Sequence, residues 1–207
     1  MNGASMMKEG ISMTTDPIAK FLPYLTPWFS TPRIDLLNLT DNEAKALEEL
    51  SVGWKTTIPK HELLKRVAGD YGLETVNTVI DKVVAAHIRL EWAELASSLP
   101  SAGIDDLHRL LWEPLREAGF VFTVERTEGK AAYRCTACPN AKLGEVFDIK
   151  DFMYHLVCSG DGPLTEGFNP KISFSRTCTL MEGGGYCDHT YLYQSNNRKG
   201  IIKSWQE

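Results

Sequence analysis

The chain has no excess of positive charge, no long apolar run and no internal repeat. Over 207 residues the formal net charge is −5, so the electrostatic footprint of a nucleic-acid binder is missing. No apolar stretch reaches the ~18 residues that a membrane-crossing helix needs, and no membrane partner is expected. The first residues carry no apolar core of signal-peptide type, so export is not expected either. Cysteine is scarce and unevenly placed: there are five, all between Cys135 and Cys187. An odd set confined to one segment makes a poor disulfide framework. Reduced thiols in a cytoplasmic protein are the expectation.

What is present is ordinary globular composition, 43% apolar and 24% charged, in a length that suits one domain with its own core. Residues 1–35 read as a mobile terminus followed by an aromatic arm at 21–29, whose prolines argue against a helix or a central strand. The arm is expected to lie over a pocket or against another subunit, since its aromatic side chains would otherwise face water. A homo-oligomer is therefore open. Residues 36–207 read as a single α+β domain, with helices over 40–119 and a cysteine-bearing sheet region over 120–195.

Thr40 and Glu43 stand at capping-box spacing ahead of Ala44, Leu47 and Leu50. Pro59 suits the first turn of a second helix through Leu63, Leu64 and Val67. A longer helix spans 73–99, its buried stripe running through Val76, Val79, Ile80, Val83 and Val84. His87 lies in that stripe and is read as a core residue. Asp105 or Asp106 caps a further helix that stops at Gly119, kinks near Pro114 and turns His108 and Arg109 to solvent. The period then changes from helical to two. Residues 120–126 and 131–136 form a hairpin about 127–130, and 148–157 a short helix. A second hairpin pairs 172–179 with 186–193 across Gly183, Gly184 and Gly185, bringing Glu182 near Cys187. The result is a C-terminal antiparallel sheet of two hairpins with the helices packed on one face.

Cys135 and Cys138 have a Cys-x-x-Cys spacing that suits zinc, a redox pair or neither. Cys158, Cys187 and His189 complete a zinc set on paper; no second close pair exists, so no metal is assigned, and a zinc-dependent hydrolase stays open as an alternative. Opening a small amidine or amide needs a nucleophile, an acid and a base within hydrogen-bond reach. Cysteine supplies the first. Asp161, Glu182 or Asp188 can carry the proton, and His155 and His189 can lower a thiol pKa. Cys135 and Cys178 are read as small buried hydrophobes.

The pieces Leu111-Trp112-Glu113-Pro114, Cys138-Pro139-Asn140-Ala141, Cys158 with Asp161, and Gly167-Phe168-Asn169-Pro170-Lys171 occur in order. Arg176-Thr177 with Thr179, Glu182-Gly183 and Cys187-Asp188 follow. Together they resemble the L-2-amino-thiazoline-4-carboxylic acid hydrolase family over about 73–193. The resemblance implies an α+β hydrolase in which water adds across the C=N bond of a thiazoline ring and the ring opens to give an N-carbamoyl amino acid. It implies catalytic roles for Cys138, Cys158, Asp161, Glu182, Cys187 and Asp188, with Cys138, Cys158 and Cys187 lining one cavity. Cys138 is favoured as nucleophile because it lies just past a strand end and before a proline turn, where a side chain is exposed yet held. Asn169, Lys171, Arg176, His155 and His189 are the substrate-binding candidates, Arg176 or Lys171 holding a carboxylate. Lys142 and His189 depart from the family pattern, which leaves an altered small-molecule substrate open. The segment from Glu182 to Cys187, with Cys158, also resembles the small-molecule-binding domain named for 4-vinyl reductase, a non-catalytic alternative.

Overall fold

The computed structural model describes residues 26–194. Residues 1–25, with the terminus expected to be mobile and the 21–25 part of the aromatic arm, lie outside the described residues. Helix α1 (Thr26–Ser30) leads to α2 (Asp41–Trp54), α3 (Lys60–Tyr71) and α4 (Leu73–Ser97). The capping box forms as its spacing predicts: Thr40 Oγ1 accepts the Glu43 N–H at 3.3 Å, and the Glu43 carboxylate accepts the Thr40 N–H at 2.7 Å. Pro59 sits one position earlier than expected, as the extended N-cap of α3. The stripe of α4 is fully buried from Val76 to Val84 and packs on Leu47, Leu50, Leu63, Leu64 and Val67. Trp28 and Phe29, the described end of the arm, belong to this same core, at 2% and 0% exposure.

His87 is a hydrogen-bonded residue of that helix. Its Nε2 accepts the Arg33 N–H at 3.1 Å and its ring stacks on Trp28. Burial, with a smaller push from Arg33, holds its pKa below the ordinary 6.5, and burial does the same for His108. The unfolded chain therefore binds these protons more readily, so stability is full above about pH 6.5 and falls as pH drops through it. We expect a lower urea midpoint at pH 5.5 than at 7.5, and a smaller difference in His87→Gln. Equal midpoints would remove the effect.

The next helical segment is broken into α5 (Ile104–Leu107), a π-helical turn (His108–Trp112) and α6 (Glu113–Glu117). The break falls where Pro114 predicts it: Pro114 is the second residue of α6 and has no N–H to give the preceding turn, so regular helical bonding is interrupted there. Gly103 is the N-cap, and Asp106 serves from the third position by accepting the Gly103 N–H at 3.3 Å. Arg109 is exposed as expected, but His108 is not. Its Nδ1 lies 2.9 Å from the Tyr133 hydroxyl, because the widened turn rotates it toward the sheet.

Strands β1 (Val121–Thr127), β2 (Lys130–Ala137), β3 (Ile172–Ser175) and β4 (Cys187–Tyr193) form one antiparallel sheet in the order β1-β2-β4-β3. Ala131, Tyr133 and Cys135 alternate inward on β2, and Cys187 and Tyr191 on β4. They pack on Leu107, Trp112, Leu164 and Phe168, so the helices cover one face and the fold is α+β. Helices α7 (Pro139–Val146), α8 (Lys150–Val157) and α9 (Asp161–Phe168), with a 3₁₀ turn (Cys158–Gly160), link the two strand pairs. Two hydrophobic clusters result, one helical and one on the sheet, and Ile88 of α4 packs against both.

The second hairpin departs from expectation. β3 stops at Ser175, and residues 176–186 form a compact loop in place of a strand and a tight glycine bend. Asp188 accepts the N–H groups of Thr177 and Cys178 at 2.9 and 2.6 Å, which removes them from the ladder. Gly184 donates to the Thr179 carbonyl at 2.8 Å, and a Cβ there would lie 2.3 Å from Cys178 Sγ. Close approach, as well as turning, thus requires a glycine.

α9 crosses α4 at similarly short range. A Cβ on Gly167 would lie 2.2 Å from the Arg89 carbonyl oxygen, a backbone atom that cannot swing aside. Gly167→Ala should therefore destabilise the protein by about 1–3 kcal/mol, read from urea denaturation. An unchanged midpoint would mean that the helices separate freely.

Candidate functional site

β2 ends at Ala137, and Cys138 follows as the extended N-cap of α7, with Pro139 at the first helical position. Cys135 and Cys187 stand opposite each other in the β2–β4 register. Cys158 closes the C-terminus of α8 at the turn into α9, whose first residue is Asp161. These segments converge on a cavity of about 280 Å³, lined by Cys135, Cys138, Cys158 and Cys187 together with Asn140, Asp161 and His189. Its remaining walls are hydrocarbon and indole, from α1, α4, the π turn, α6, α8 and α9. Trp28 is one of them, fixed to α4 by an indole N–H donated to Glu91.

All five cysteines are free. Burial raises the Cys135 thiol to about 12 and Cys138 to about 11, the amides of Ala141 and Asn140 drawing Cys138 part of the way back. Burial also lifts Cys158 well above the ordinary range and Cys187 to a lesser degree, although Cys187 Sγ accepts the Leu180 N–H at 3.1 Å. The expected lowering by histidine is thus overturned. His155 turns the other way, its Nδ1 2.9 Å from Asp81 on α4. His189 places Nε2 3.4 Å from the Asp161 carboxylate, and its Nδ1 is buried with no hydrogen-bond partner among the described residues.

Asp161 is paired with Arg176, whose side chain is only 8% exposed. The guanidinium also donates to the Cys158 carbonyl at 3.1 Å, tying the end of β3 to the cysteine turn. On its other side Arg176 lines a second, polar groove of about 380 Å³, with Tyr154, Ser159, Thr177, Thr179 and Glu182. Cys158 borders both spaces.

Five predicted residues therefore meet in one cavity: Cys138, Cys158, Asp161, Cys187 and His189. Arg176 and Glu182 belong to the neighbouring groove. Glu182 accepts the Thr179 hydroxyl at 2.6 Å and does not share a cavity with Cys187, because the compact loop carries it outward. Asp188 is a loop brace; burial acts to raise its pKa, but the Thr177 and Cys178 donors outweigh this and hold it below the ordinary range. Asn169 bonds the Ala102 carbonyl and the Lys171 N–H, at 2.8 and 2.9 Å, and neither Asn169 nor Lys171 lines the cavity or the groove. Asn140, Trp112 and Cys135 line the cavity without having been singled out as site residues. Asn140 and Trp112 stand inside the motif pieces Cys138–Ala141 and Leu111–Pro114, and that placement is the signal that marks them. Among the described residues no three His, Cys, Asp or Glu side chains are grouped to hold a metal, and no helix is long and apolar enough to cross a membrane.

Fold and cavity together define an α+β protein with a cysteine-lined pocket of small-molecule size. The family model described as L-2-amino-thiazoline-4-carboxylic acid hydrolase matches residues 55–191, and the chain belongs to that family. The match begins earlier than the resemblance read from motifs and takes in α3. Searches of curated proteins and of solved structures found no match.

Proposed function

We propose that the protein is a hydrolase that opens a carbon–nitrogen bond of a small cyclic amidine or amide, with Cys138 as nucleophile. The observation that supports this reading is the meeting of Cys138, Cys158, Cys187, Asp161 and His189 around one cavity, joined to family membership. Cys138 is preferred because the first amides of α7 favour its thiolate. A protonated amidine bound beside it would lower the thiol further, so ionisation is coupled to binding. The Cys138 proton passes to His189, the sulfur adds to the amidinium carbon, and the C=N π pair passes to the nitrogen that already carries the amidinium proton. A ring bond at that carbon then breaks, its leaving atom taking the proton held by His189. Water attacks the same carbon, gives up a proton to His189, and the sulfur departs. Asp161, anchored by Arg176, orients His189.

Incubation with 2-amino-thiazoline-4-carboxylate and with neutral cyclic amidines tests the proposal: at least one should yield a ring-opened product. Saturable binding of all of them without product would favour the alternative, a non-catalytic binding domain. One observation favours that second reading, namely that burial keeps every cavity thiol largely protonated. The same burial predicts that iodoacetamide labels Cys138 slowly at pH 7 and about tenfold faster per pH unit until near 11. Mass spectrometry of the labelled peptide would reveal a flat profile, which would contradict it.

A further inference from the structure

We infer that the substrate is amphipathic, an uncharged or cationic ring bearing a hydrocarbon or aryl arm, and not a small amino-acid-like carboxylate. The reaction at the ring rests on the hydrolase reading above; the binding preference does not. Among the described residues no lysine or arginine lines the cavity. Apart from His189, the one charged side chain that these residues give it is Asp161, whose own partner, Arg176, belongs to the wall of the polar groove. A carboxylate placed there would lose its water beside another carboxylate and gain no cation. A neutral ring or an amidinium meets the Asn140 and Asp161 side chains instead.

The opposite wall argues the same way. α4 presents Val84, Ile88 and Trp92 to the cavity, a stripe at helical spacing with no polar group except the indole N–H. Leu111 and Leu115 extend it. A substrate consisting only of a polar ring would leave this surface unfilled, whereas an arm attached to the ring covers it. Each added methylene buried there should tighten binding about fourfold.

The test uses the full chain and two probe series. The first is 2-amino-2-thiazoline bearing hydrogen, methyl, butyl, hexyl or phenyl on a ring carbon. The second replaces that substituent by a carboxylate, with and without an added butyl arm. Dissociation constants come from calorimetry and turnover from product analysis. We expect affinity to rise along the first series and the carboxylate to weaken binding at least tenfold against the methyl compound. Affinity that is flat with arm length, tighter binding of the carboxylate, or no binding by either series would overturn the inference. Tight binding of arm-bearing compounds without hydrolysis would leave this inference standing and defeat the hydrolase reading. Hydrolysis with a preference for carboxylate would do the reverse. Leu115→Lys, at a half-buried position of α6, places a cation in the cavity and should reverse the preference by tenfold or more. If that variant does not fold, the two series on the unaltered chain decide the matter.

Discussion

Cys138→Ser should lower kcat/KM by roughly a thousandfold or more while the melting temperature stays within a degree or two. The hydroxyl is nearly the same size as the thiol and is a good helix N-cap, so α7 has no reason to unwind. A serine hydroxyl, however, is far less acidic and less nucleophilic, and no histidine is in hydrogen-bond contact with Cys138 to activate it. Cys158→Ser and Cys187→Ser serve as comparisons, since both side chains line the same cavity. If Cys138→Ser retains full activity and one of these loses it, the nucleophile has been misplaced. If all three retain it, the covalent route is wrong and water must attack directly.

Asp161→Asn should cost about 3–5 kcal/mol of stability and nearly all turnover. The substitution leaves the Arg176 guanidinium charged and unpaired where its side chain is 8% exposed, and a buried charge deprived of its partner is far more damaging than the loss of one contact. Pairing the change with Arg176→Met removes the stranded charge, so the double variant should regain much of the lost stability. Its activity should not return, because His189 would still lack the carboxylate that orients it. Urea denaturation of the two single variants and the double, with turnover measured in parallel, separates these roles. Additive destabilisation would show that the pair is not coupled, and recovery of turnover with stability would mean that Asp161 acts only on the fold.

Much of the fold was legible because local chemistry agreed with global packing. The Thr40–Glu43 box, the α4 stripe and the first hairpin each follow from spacing that has one good physical solution. The 176–186 loop was not legible: its residues alternate like a strand, and only the long-range demand of Asp188 for the Thr177 and Cys178 amides takes them out of register. The same contrast runs through the site. The cysteines of the motif pieces do converge on one cavity. His155, in contrast, was placed by nearness in sequence, and helix phase turns it toward Asp81 instead. Asn169 and Lys171 sit in an equally suggestive motif, yet the Asn169 side chain is occupied in building the turn into β3. Cys135 was assigned to the core and lies in both core and cavity wall, a dual position that no one-dimensional pattern distinguishes.

The cavity lies along the seam between the helical and sheet clusters, with Cys158 packed on the first, Cys138 on the second and Ile88 on both. That seam is hollow where a chain with one continuous core would have hydrocarbon. α9 already packs closely on α4 across it, and a molecule bound in the hollow adds a second bridge between the two clusters, a keystone whose affinity for the folded form adds to their cohesion. Substrate recognition and mechanical integrity thereby become one property of the molecule, and the ligand that is held most tightly is also the one that raises the melting temperature most.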